Sequence, residues 1–67
     1  MKLVINGEEK IFDFDNLSLD EFLKNQNIRI EYVAIAVNCK FIPKSMYKDI
    51  ELQEGDDIEV LTPMQGG

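Results

Sequence analysis

Histidine is absent from this chain, and cysteine occurs once, as Cys39. These two shortages exclude a Cys-His catalytic pair, a cysteine-based zinc site within one chain and an internal disulfide. Basic residues are also scarce: 7 lysines and arginines stand against 13 aspartates and glutamates, for a formal net charge of −6. Such a field repels phosphate backbones and anionic lipid headgroups, so no nucleic acid and no membrane is expected as a partner. A basic surface on another protein is approached favourably instead. Proline and glycine are sparse, at 2 and 4 residues, and no apolar run is long enough to span a bilayer, which predicts a folded, soluble chain. The unpaired thiol, together with the lack of a basic and apolar leader before the first strand, gives the cytoplasm as the expected setting.

What is present suffices for one small core. The 67 residues are 45% apolar, which leaves no room for a second domain. Lys2 Leu3 Val4 Ile5 reads as a strand that ends at Asn6 Gly7, a pair suited to the positive φ angles of a tight hairpin turn. A second strand is expected from about Glu9 to Phe14, with Phe12 and Phe14 sharing one face. Asp15 and Asn16 break it. Ser18 followed by Glu21 has the spacing of a capping box, and Leu17 and Phe22 occupy the staple positions. Leu19, Phe22, Leu23 and Gln26 continue at helical spacing, which predicts an amphipathic helix of about two turns, weakened near its end by Asn25 and Asn27.

Tyr32 to Val37 reads as a central strand, with Val33, Ile35 and Val37 on one face and Tyr32, Ala34 and Ala36 on the other. Asn38 Cys39 Lys40 turns it. Phe41 and Ile42 resume briefly before Pro43, which cannot donate to a ladder, and a loose connection is expected through Ser45, Met46 and Tyr47. Glu54 Gly55 Asp56 forms a turn before a last strand from about Asp57 to Thr62, in which Ile58 and Val60 reach the core and Leu61 faces away. Pro63 ends it. The order ββαβ, a short segment and a final β predicts an α+β domain of the β-grasp type: a mixed sheet packed against one main helix, with first and last strands parallel at the centre. Its expected extent is residues 1–62, with a flexible C-terminal tail over residues 63–67.

That tail, Met64 Gln65 Gly66 Gly67 after Pro63, carries the strongest chemical signal. With glycine at about 7% of ordinary usage, a final pair arises by chance in roughly 0.5% of chains. Lacking Cβ atoms, two extended glycines can thread a narrow channel and bring the Gly67 carboxylate to a nucleotide phosphate. A carboxylate at neutral pH is a poor acyl donor, whereas attack on ATP to form an acyl adenylate gives it a good leaving group. The plainer alternative is a frayed end.

Along essentially its whole length the sequence resembles the sulfur carrier proteins of thiamine biosynthesis. The resemblance rests on Val33 Ala34 Ile35 Ala36 Val37 Asn38 Cys39 Lys40 Phe41 Ile42 Pro43 Lys44 Ser45, with Leu52, Gly55 Asp56 and Gly66 Gly67. It implies a β-grasp, ubiquitin-like fold and a protein co-substrate rather than an enzyme. It further implies that Gly67 is adenylated by an E1-like, ATP-dependent adenylyltransferase, becomes a thiocarboxylate with sulfur from a donor such as a cysteine desulfurase system, and donates that sulfur to thiazole synthase. No cofactor is bound by the chain itself; ATP belongs to the activating enzyme. Gly66, Gln65 and Met64 are the implied threading residues. Tyr47 and Lys44 stand where this family frequently has tryptophan and arginine. The small subunit of molybdopterin synthase shares the fold and the terminal glycines and is the alternative.

Other candidates have plainer explanations. Cys39 reads as an inert turn residue. Asp13, Asp15, Asp20 and Glu21, and the group Glu51, Glu54, Asp56, Asp57 and Glu59, lack calcium-loop spacing and read as solvated surface. No metal site is expected. The sheet face turned away from the helix presents Val4, Ala34, Ala36 and Leu61, with Glu59 at hand for orientation, and is the expected partner-docking surface. A covalent protein modifier attached through Gly67 and a simple adaptor working through that face are the remaining function classes.

Overall fold

A computed structural model describes residues 1–62 of the chain. Its elements are β1 (Lys2–Ile5), β2 (Glu8–Ile11), α1 (Leu19–Asn25), a 3₁₀ helix over Ile30–Tyr32, β3 (Ala34–Val37), β4 (Lys40–Ile42), a second 3₁₀ helix over Lys44–Asp49, and β5 (Asp57–Leu61). The strands form one five-stranded sheet in the order β2-β1-β5-β3-β4. β1 and β5 pair in parallel at its centre, and the other contacts are antiparallel.

Local chemistry sets these elements. Asn6 and Gly7 turn β1 into β2 with φ angles of 49° and 85°, the left-handed values that such a hairpin turn requires. Ser18 caps α1: its Oγ accepts from the Glu21 N–H at 3.1 Å, and Glu21 Oε1 accepts from the Ser18 N–H at 3.1 Å. The helix lays Leu19, Phe22 and Leu23 on the inner sheet face, where they join Leu3, Ile35, Val37 and Ile58. Phe12 and Phe14 stack at 5.3 Å and close the aromatic end of this core against Phe22.

Five features differ from the sequence expectations. β2 stops at Ile11, the residue paired with Lys2 where β1 begins, and the Phe12 N–H makes the next contact on the Met1 carbonyl at 2.8 Å. Tyr32 and Val33 lie outside β3: Tyr32 is in a 3₁₀ turn closed by its N–H on the Arg29 carbonyl at 3.1 Å, and Val33 caps that turn. The segment after Pro43 is no loose connection. Proline's φ of −65° starts the second 3₁₀ helix, which inserts Tyr47 into the core at 2% exposure. Finally, β5 ends at Leu61, one residue before Thr62, and Gln26 is an exposed cap after α1 rather than part of its apolar stripe.

Candidate functional site

Strand alternation and register build the outer face residue by residue. β5 turns Ile58 into the core, which sends Asp57, Glu59 and Leu61 to the opposite side. On β3 the buried Ile35 and Val37 leave Ala34 and Ala36 facing outward. Pairing then places Ala34 against Leu61 and Ala36 against Glu59, while Val4 of β1 lies opposite Asp57. The five residues expected on this face are therefore brought together on three adjacent strands.

The same registers add two apolar residues that the sequence reading missed. Phe41 of β4 pairs with Ala36, and Ile11 of β2 pairs with Lys2; they are 65% and 77% exposed, against 54% for Leu61. A signal for both was available, because a two-residue hairpin turn dictates which residues lie opposite each other. Small alanines flanked by Phe41 and Leu61 form a shallow apolar surface. Its charges are Asp57, Glu59, Glu9 and Lys2, the last two approaching to 3.9 Å. One cation among four charged groups leaves this face acidic, which favours a partner with basic side chains around an apolar patch.

β5 is held at both ends by hairpin asparagines. At its start, Asn38 Oδ1 accepts from the Asp57 N–H at 3.0 Å while Asn38 Nδ2 donates to Asp56 Oδ1 at 3.0 Å. At its end, Asn6 Oδ1 accepts from the Val60 N–H at 2.8 Å and Asn6 Nδ2 donates to the Val60 carbonyl at 3.4 Å. Both asparagines have positive φ, a conformation asparagine tolerates better than most residues.

The other candidates are placed plainly. Cys39 is exposed in the β3–β4 turn at φ 68°. Asp56 serves its own turn, accepting from the Gln53 N–H at 2.8 Å, and Glu54 accepts the Lys2 N–H at 3.0 and 3.1 Å. Among the described residues no group of histidine, cysteine or carboxylate side chains is arranged to hold a metal ion. A cleft lined by Met1, Asp15, Asn16, Glu51 and Glu54 lies beside the turn that precedes β5, away from Leu61. Met64, Gln65, Gly66 and Gly67 lie outside the described residues.

Comparison with known proteins places this arrangement. The ThiS family model matches residues 3–67. A curated relative, a thiazole synthase of Paramagnetospirillum magneticum, is 34% identical over all 67 residues, and the chain spans only 20% of that relative's length. The crystal structure of the thiamine biosynthesis protein ThiS from Geobacter metallireducens superposes with a TM-score of 0.89 at 28% identity, covering both chains completely. A solution structure of a thiamine biosynthesis protein from the same organism gives 0.83 at 26% identity, covering all of this chain and 88% of that one. Both carry the mixed sheet and single main helix of the β-grasp, ubiquitin-like fold. The chain belongs to the ThiS family.

Proposed function

We propose that this protein carries sulfur on the carboxylate of Gly67, with residues 1–62 as the docking domain and residues 63–67 as the tail that enters partner active sites. The observation that carries this reading is the Gly66 Gly67 pair at the end of a family match that runs to residue 67. In the first step a Gly67 carboxylate oxygen attacks the α-phosphorus of ATP in an E1-like adenylyltransferase. Pyrophosphate leaves, and an acyl adenylate forms. A sulfur nucleophile from a donor system such as a cysteine desulfurase then attacks the acyl carbon and displaces AMP. Where that nucleophile is a persulfide, the product is an acyl disulfide; a second thiol attacks its outer sulfur, leaves as a disulfide with the donor and frees the thiocarboxylate, which delivers its sulfur to thiazole synthase.

The chain supplies no acid or base to these steps and contributes position instead. Glycine at the last two positions leaves the extended backbone its narrowest cross-section. The outer face, with Leu61, Val4, Ala34, Ala36 and Phe41, supplies apolar contact, and Glu59 supplies orientation. Thiazole synthase as acceptor is supported by the curated relative of that name, in which a stretch similar to this chain makes up a fifth of one longer polypeptide. We place the reaction in the cytoplasm, a reducing setting in which the exposed Cys39 stays a thiol.

Reconstitution tests the acceptor. The chain is charged with ATP, the adenylyltransferase and a sulfur donor, then offered separately to a thiazole synthase and to the large subunit of a molybdopterin synthase. Sulfur should be consumed in the first mixture and retained in the second. Consumption by the molybdopterin enzyme alone overturns the thiazole assignment.

A further inference from the structure

The end of β5 has an unequal bonding pattern. On the β3 side it stays paired through Leu61, opposite Ala34. On the β1 side the ladder ends earlier, since β1 stops at Ile5 and the chain turns away at Asn6. The Asn6 N–H makes the last backbone contact there, donating to the Ile58 carbonyl at 2.9 Å. Strand alternation then points the N–H and carbonyl of Val60 into the space that a longer β1 would occupy. The Asn6 side chain fills it, accepting from one group at 2.8 Å and facing the other at 3.4 Å. A primary amide thus reproduces the donor and acceptor of the missing strand residue, two residues before the end of the described chain.

We propose that Asn6 is a positioning residue for sulfur loading, anchoring the root from which residues 63–67 reach the activating enzyme. This inference rests on the carrier reading above. With the outer face docked, Gly67 reaches its target only through the direction in which β5 releases the tail. A root held on both sides confines that direction. Held on the β3 side alone, it swings, and fewer docked complexes place the carboxylate productively; misplacement by about 1 Å already costs on the order of a hundredfold in rate. Asn6 lies opposite no residue of the outer face and need not touch the partner, so its effect belongs in the turnover rate and not in docking.

Two substitutions separate this role from turn formation. Asn6→Gly preserves the turn, because glycine accepts the φ of 49° at this position, and removes both side-chain contacts. Asn6→Asp keeps the oxygen that accepts from Val60. Hydrogen exchange of the Val60 amide and steady-state adenylation of each full-length protein by the adenylyltransferase are measured together. In Asn6→Gly, Val60 exchange should rise and kcat fall, each by roughly tenfold, with KM within about twofold of wild type, because the docking face is untouched. Asn6→Asp should recover most of the protection and most of the rate. Wild-type kcat in Asn6→Gly, a loss confined to KM, or an Asn6→Asp variant as slow as Asn6→Gly overturns the proposal. A wild-type chain that is never adenylated overturns the carrier reading itself, and this inference with it.

Discussion

Tyr47 shows how much one side chain decides in a core this small. It comes from a segment with no regular strand or helix pattern, yet it is 2% exposed and packs with Leu3, Phe22 and Ile35 in one cluster. Burial raises its phenol above the ordinary pKa of 10.0. The native state therefore holds the proton more firmly than the unfolded chain does, and the sign follows. The contribution is fully present below pH 10.0 and is lost as pH rises through the raised native value, because the unfolded state ionises first. Tyr47→Phe removes this titration. Near neutrality the two proteins should differ by less than about 1.5 kcal/mol in urea unfolding. Above pH 10 the balance should move toward the variant by up to about 1.4 kcal/mol per pH unit. A stability difference that stays constant through that range contradicts the burial argument.

At the scale of elements, the sheet separates a face that packs the core from an outer face that we propose docks partners. Leu61 lies on the second, half exposed and on the same side of β5 as Glu59. Leu61→Glu should cost the free protein less than about 1 kcal/mol, including repulsion from the neighbouring carboxylate. At a docked apolar surface the same charge costs on the order of a few kcal/mol unless a cation meets it. Thermal melts beside calorimetric titration with the adenylyltransferase decide the matter; unchanged affinity in a folded variant removes Leu61 from the docking surface. Most of these elements were legible in the sequence because their signals are local: Asn6 Gly7 for the first hairpin, Ser18 and Glu21 for the start of α1, and alternation for β3 and β5. What was not legible depended on partners distant in the chain. Nothing in Tyr47 says that a 3₁₀ helix will carry it under α1. Phe41 and Ile11 were recoverable from hairpin register, but their own local pattern does not show which way they point.

At the scale of the whole chain, acidic at 7.7 kDa with net charge −6, the proposed division gives recognition to residues 1–62 and chemistry to Gly67. The sequence features that suggest that division are the lack of histidine and of any second thiol and the final two glycines. The contacts that anchor the tail root were not legible, since the Asn6–Val60 bonds span 54 positions. The division is also what makes the account testable by one deletion. Gly67 carries no side chain, so removing it should leave the fold and the docking face intact. One residue of extended backbone spans about 3.3 Å, several times the displacement of about 1 Å that already costs roughly a hundredfold in rate. The decisive measurement is the intact mass of the full chain and of the chain lacking Gly67, each after incubation with ATP, the adenylyltransferase and the sulfur donor. The full chain should exchange one terminal oxygen for sulfur while the shortened chain, still folded, stays at its starting mass. A shortened chain that gains sulfur as readily as the full one contradicts the assignment of Gly67 as the carrier.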